Sequence, residues 1–309
     1  MVARMSEKIV LSPDWQPFAR EQGLDRVAGV FGRTDGVVVT SSGSTEVRRL
    51  EPGGGTARHT IFVKKYWIRG ARDLWRGVFR GTLLGRPKVR REYANLVRLR
   101  ELGLDAPAAL AWGAERRAGF VVRSFLVSEG VADPVPLDQY IRHFLPACPP
   151  EEQRRRRAAL LRQLAASTRR MHQGRFVHHD YYWRNIILSG SSFEHFWLID
   201  SHKGNVWRPW AGHRSRAKDL ATLDAPAPQF FRRTDRLRFL LAYLDEERLT
   251  PRARRLIRSI LRIAQPLRSR ELRRVLGGPA PEPGTPNALA VRPGSSGRVR
   301  LPSEDSNAQ

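Results

Sequence analysis

The chain has 309 residues, 41% of them apolar, which suits two lobes around a substantial core and excludes a disordered chain. The single cysteine, Cys148, excludes an internal disulfide and, without any Cys/His cluster, argues against structural zinc; a reducing compartment fits. A formal charge of +25 points to anionic partners such as nucleic acid, an anionic membrane surface or an acidic substrate, unless it reflects only a general bias towards arginine.

Met1 to Pro17 has no long apolar core, so no secretory leader is expected, and no run approaches the ~18 apolar residues of a membrane span. Residues 1–35 read as an N-terminal extension with a short helix near Pro17 to Glu21. From Gly36 the pattern turns β-like: a strand over Gly36–Thr40, a turn at Ser41–Ser44, a return strand over Thr45–Leu50, a second turn at Pro52–Gly55, and a third strand over Thr60–Trp67. Apolar residues at Tyr93, Leu96, Val97, Leu99 and Leu102 predict a helix from Lys88 to Leu102, stopped by Gly103. Strands follow at Ala109–Ala114 and Gly119–Val127, closing a small lobe over 36–132. Asp133–Pro136 reads as a linker, and Leu137–Phe144 opens a larger, mainly helical lobe over 133–276. Glu151–His172 is a strong helix whose stripe is Leu160, Leu161, Leu164, Ala165, Thr168 and Met171, with acids at its start and arginines at its end. Further helices are expected around Lys218–Leu223, Asp235–Leu244 and Pro251–Ala264. Residues 277–309, rich in Pro, Gly, Ser and charge, read as a disordered tail.

The chemistry concentrates in His178-His179-Asp180-Tyr181-Tyr182-Trp183-Arg184-Asn185, followed by the apolar run that ends at Asp200. An Asp and an Asn five residues apart, with a second Asp closing the next hairpin, have the spacing of a kinase-type phosphoryl transferase. Asp180 would accept the proton of the substrate hydroxyl, while Asn185 and Asp200 would hold the metal. Asp and Asn also occur in loops as plain turn formers. Such chemistry needs a cation for the phosphates. Lys64 and Lys65 point to opposite faces of their strand; Lys64, in register with Phe62 and Tyr66, is preferred, with Lys65 as the alternative. Glu92, the sole acid in the first turns of the next helix, is its natural partner, or else it neutralises Arg90 and Arg91 at the surface. Backbone N–H groups at Ser42 and Gly43 are candidates for phosphate contact. His178 takes a structural place before the base. Arg184 lies between base and metal ligand, where it either neutralises phosphate charge or is solvated. Asp219 either caps a helix or braces the catalytic loop.

Five segments in order, FVKKYW, RREYANLVRLRELGLDAPAALAWG, FVHHDYYWRNIIL, FWLIDSHKG and RAKDLATL, resemble the lipopolysaccharide core kinase family (Kdo/WaaP type), a branch of the protein-kinase-like superfamily. The resemblance covers about Gly36 to Leu223. It implies an α+β, bilobal protein-kinase-like fold with a small antiparallel β lobe and a mainly helical large lobe. It also implies ATP and Mg²⁺ as cofactors, and γ-phosphate transfer to a sugar hydroxyl of a lipid-linked saccharide at the cytoplasmic face of the inner membrane. On this resemblance Lys64 and Glu92 are the ion pair, Asp180 the base, Asn185 and Asp200 the metal ligands, and Asp219 the brace. Two departures stand out: Asp200 is followed by Ser201-His202, which argues against a protein-kinase-style activation switch, and His179 stands where an Arg usually precedes the base.

Between Lys64 and Glu92, residues 67–85 interleave Trp67, Trp75 and Phe79 with Arg69, Arg72, Arg76 and Arg80. This is the pattern of a basic amphipathic helix suited to an anionic membrane surface, or of a helix packed under the sheet. The leading expectation is an enzyme acting on a glycolipid or sugar. The rivals are a kinase for protein or small molecules, and an inactive scaffold or basic nucleic-acid-binding protein. Nucleic acid is not the expected partner, because no recognisable binding module is present.

Overall fold

The computed structural model describes residues 5–51, 60–68, 87–190, 193 and 195–277. The insert at 69–86, the turn at Pro52–Gly55 and the tail beyond Gly277 therefore lie outside the described residues. Along the chain run β1 (Met5–Leu11), α1 (Gln16–Glu21), α2 (Val27–Gly32), β2 (Val37–Ser42), β3 (Thr45–Leu50), β4 (Ile61–Trp67), α3 (Lys88–Glu101), β5 (Ala109–Arg117) and β6 (Phe120–Glu129). The six strands form one antiparallel sheet in the order β1-β5-β6-β4-β3-β2.

Residues 1–35 are not an extension outside this lobe. β1 pairs with β5 from Met5 opposite Arg117 to Leu11 opposite Ala111. The helices α1 and α2 then cover the outer sheet face, where Ala19, Leu24, Val27 and Val30 pack on Ile61, Val63 and Phe125. The Val27 amide donates to Glu7 and ties α2 to β1. Sequence patterning misses β1 because it is an edge strand whose first four residues are exposed, so no apolar alternation marks it.

Alternation is plain in β4. Ile61, Val63 and Lys65 are buried on the outer face, while Phe62 and Lys64 point to the inner one. The inner face lies over a second, larger core that runs from Val89, Leu96 and Leu99 of α3 into the large lobe.

The linker expected at Asp133–Pro136 contains β7 (Val135–Pro136), which pairs with a large-lobe strand. A short helical segment, Leu137–Gln139, continues as a π turn over Tyr140–Phe144. Then come α4 (Pro150–Gln173), β8 (Phe176–Val177), β9 (Ile186–Ser189), β10 (His195–Leu198), β11 (Asn205–Val206), α5 (Gly212–Asp224), α6 (Arg233–Leu244), α7 (Pro251–Ala264) and α8 (Arg268–Leu276). The stripe predicted for α4 is its buried face, apart from the half-buried Leu161, and it also includes His172. β9 pairs with both β7 and β10, and β8 with β11. This places the His178–Asn185 loop between two paired strands, and Asp200 directly after the β10 hairpin arm. The helix expected from Lys218 begins six residues earlier, at Gly212. The sequence pattern gives no signal for α8: five of its nine residues are Arg or Ser, and only Glu271 and Val275 are buried. No helix among the described residues is long and apolar enough to cross a membrane.

Candidate active site

A cavity of ≈ 340 Å³ opens between the lobes. Its walls are mostly apolar, with Val39, Val47 and Leu126 from the sheet and Ile187 and Ile199 from the large lobe. One end carries Lys64, Glu92 and Asp200. An apolar slot ending in convergent charge suits a ligand with a flat ring at one end and phosphates at the other.

At the polar end the Lys64 Nζ lies 2.7 Å from Glu92 Oε1 and 3.2 Å from Asp200 Oδ1. Burial works against the ammonium, but Glu92, Tyr66 and Asp200 outweigh it, and the Lys64 pKa is raised. Asp200 shows the mirror effect: burial would lift its pKa, yet the His202 hydrogen bond and Lys64 hold it well below the usual carboxylate range. His202 Nδ1 sits 3.0 Å from the same Oδ1. Burial first, then Glu92 and Asp200, keep the Tyr66 phenol neutral, pushed up to about 12. Lys65 faces away, donating to the Arg33 carbonyl at 3.0 Å and pairing with Glu46 at 3.3 Å.

The geometry of the His178–Asn185 loop is set from below. Asp219 is fully buried within α5, which excludes a capping role, and its two oxygens accept the backbone N–H groups of His178 at 2.7 Å and His179 at 2.8 Å. Burial disfavours its charge, but His172, whose Nε2 lies 3.3 Å away, and His178 lower its pKa. Tyr243 in turn meets His172 Nδ1 at 2.9 Å. These bonds hold His179 at φ +63°, a left-handed conformation that costs on the order of 1–3 kcal/mol and persists only where its surroundings hold it. Asp180 follows, buried, with its carboxylate paired to Lys203 at 2.7 Å; neither it nor Asn185 is among the residues that line the cavity. Asn185 donates its side-chain N–H to the Asp180 carbonyl at 2.8 Å, which leaves its amide oxygen to face elsewhere. The Asn185 carbonyl takes the Ile199 amide at 3.1 Å, and His178 Nε2 lies 3.0 Å from the Ile199 carbonyl. Loop and β10 arm are thus stitched together one residue before Asp200, which is itself left-handed at φ +56°. Burial pushes the His178 pKa down, so its imidazole is neutral at pH 7.

Several expectations land elsewhere. Ser42 ends β2 and Gly43 opens the turn; both are exposed and neither lines the cavity, which this hairpin reaches through Val39 and Val47. Arg184 points to α8, pairing with the buried Glu271 at 3.1 Å and lying over the Tyr182 ring. Residues that the motifs do not single out also hold the site. Buried Asn95 of α3, one turn beyond Glu92, donates to the carbonyls of Ser201 at 2.6 Å and Gly204 at 2.8 Å. A polar residue on the apolar face of a helix is the signal for it. Lys203 and His172 carry no such local signal.

The donor set suits a hard divalent cation. Among the described residues, Glu92, Asp200 and His202 bring ligand atoms within 4.8 Å of one another, and Glu92 Oε2 is buried without a hydrogen-bond partner. The two carboxylates supply the hard oxygen ligands that a cation such as magnesium takes, with His202 as the one nitrogen donor beside them.

The lipopolysaccharide kinase (Kdo/WaaP) family model matches residues 37–243, more than half of the chain. No curated protein sequence matches. A solved structure described as WaaP in complex with acyl carrier protein aligns over 87% of this chain and 98% of its own, at 24% identity and a TM-score of 0.56; it is similar in fold. A Toxoplasma gondii specific rhoptry antigen kinase domain aligns over 78% and 80%, at 10% identity and a TM-score of 0.40, too remote to add to this. The two-lobed architecture with its cleft is protein-kinase-like, and the chain belongs to the lipopolysaccharide kinase (Kdo/WaaP) family of phosphotransferases.

Proposed function

We propose that this kinase transfers the γ-phosphate of ATP to a hydroxyl of a Kdo- or heptose-type sugar in a lipopolysaccharide glycolipid. The observation that carries this is the convergence of the Lys64–Glu92 pair on Asp200 in a largely apolar cavity, also lined by Ile187 and Ile199, which flank the Asp180–Asn185 loop and Asp200. The apolar walls would take the nucleotide base and exclude water. Lys64, kept charged by Glu92, would hold the inner phosphates. Asn185 and Asp200 would hold magnesium, which supplies charge neutralisation on the phosphates when bound. Asp180 would orient the acceptor hydroxyl and take its proton as the oxygen bonds phosphorus. Because the transition state is loose, positioning and charge stabilisation would outweigh the base itself. The charge of +25 supports work against an anionic membrane face, with the protein peripheral on the cytoplasmic side.

Incubation with γ-labelled ATP and separate fractions of lipopolysaccharide, soluble sugars and protein tests the acceptor. Label in the lipopolysaccharide fraction is expected. Label confined to protein or small molecules would replace this reading with one of its rivals.

A further inference from the structure

The base is held by a residue from a different loop. Lys203 Nζ lies 2.9 Å from Oδ1 and 2.7 Å from Oδ2 of Asp180, so one ammonium bridges both carboxylate oxygens. The Asp180 side chain is 11% exposed and that of Lys203 56%, so the lysine reaches in from the solvent side. Its backbone is fixed on both sides. Asn95 binds the carbonyls of Ser201 and Gly204, and β11 starts at Asn205. Asn95 and Glu92 lie one turn apart on α3, so the same helix sets the place of Lys64 and that of the Lys203 loop.

We infer that Lys203 is a positioning residue for Asp180. The inference rests on the reading of Asp180 as the base. A lone aspartate side chain rotates about two bonds, and a proton acceptor must present a lone pair along the O–H axis. A bridging ammonium fixes the carboxylate plane and occupies one lone pair on each oxygen, leaving the second free for the acceptor hydroxyl. In the transfer the acceptor O–H breaks as its oxygen bonds phosphorus, the proton passes to Asp180, and the bridging oxygen leaves with its electron pair on ADP. A purely stabilising role is a poor explanation, since an ammonium this exposed gains little from an ion pair in water.

The test compares the parent, Lys203→Met, Lys203→Arg, Asp180→Asn and the Asp180→Asn/Lys203→Met double variant, with labelled ATP and lipopolysaccharide core saccharide. Lys203→Met is expected to lower kcat on the order of 10²-fold, as a misplaced catalytic group does, with the KM for ATP unchanged. Lys203→Arg should restore most of the rate. In the Asp180→Asn background the same Met substitution should change kcat by less than about threefold, because coupled residues are not additive. Near-parental kcat in Lys203→Met, or an equal loss in both backgrounds, overturns the inference. A second readout needs no acceptor. Reductive methylation of Lys203, followed by mass spectrometry, should be slower in the parent than in Asp180→Asn, and equal rates overturn the inference. A parent that protects Lys203 yet labels no saccharide counts against the proposed acceptor alone.

Discussion

Lys64 and Lys65 are neighbours on one strand, yet they serve opposite faces of the sheet. On the inner face Lys64 meets Glu92 and Asp200 at the end of a cavity, and its charge is reinforced by both. On the outer face Lys65 is 4% exposed, bound to a carbonyl and to Glu46, and burial lowers its pKa. The same side chain is thus a cavity-facing cation on one side and a fastener for the N-terminal segment on the other. The difference comes from strand alternation and from what each face packs against.

The sharpest way to break this contrast is to remove each amine in turn. Lys64→Met should lower kcat/KM by roughly 10²–10³, as the loss of one preorganised charge does. It should also cost about 3 kcal/mol of stability by stranding Glu92, which is 3% exposed. Lys65→Met should leave turnover near the parental level while costing about 1–2 kcal/mol, from the bonds it abandons. Steady-state kinetics and thermal melts on both variants check this, and similar losses of activity in the two would remove the distinction.

A smaller effect is expected below the loop. Asp219→Asn can accept from only one of the two amides of His178 and His179 and turns an N–H towards the other. It should cost about 2 kcal/mol and lower kcat more than nucleotide affinity. The acid response gives the sign independently. Asp219 and Asp200 have folded pKa values below the ordinary 3.8. The unfolded chain therefore binds more protons as pH falls, and the stability these carboxylates confer at neutral pH is lost on acidification. The melting temperature should fall between about pH 5 and pH 2, and less steeply in Asp219→Asn. An equal slope in both would mean that Asp219 is not a source of the acid sensitivity.

What the sequence reveals, and what it hides, follows from distance along the chain. The alternation of β4, the stripe of α4 and the Asp180–Asn185–Asp200 spacing are local, and they suffice to locate the cleft. The family match over 37–243 agrees with the segments that carry the resemblance. β1 is hidden because its partner, β5, lies about a hundred residues on and its own face is wet. The brace at Asp219 joins residues 40 and 41 positions apart. Arg184 cannot be assigned without α8, whose buried Glu271 has no local pattern to announce it. The grip of Lys203 on Asp180 is hidden for the same reason, since two loops meet only after β9 and β10 have paired.

The central claim is that phosphoryl transfer happens at Asp180 in this cleft. It is tested most directly by measuring nucleotide binding and labelled-phosphate transfer side by side in Asp180→Ala and the parent. Binding within a few-fold of the parent, with transfer reduced by roughly 10²–10⁴, is the outcome this account requires. Transfer at the parental rate by Asp180→Ala would contradict it.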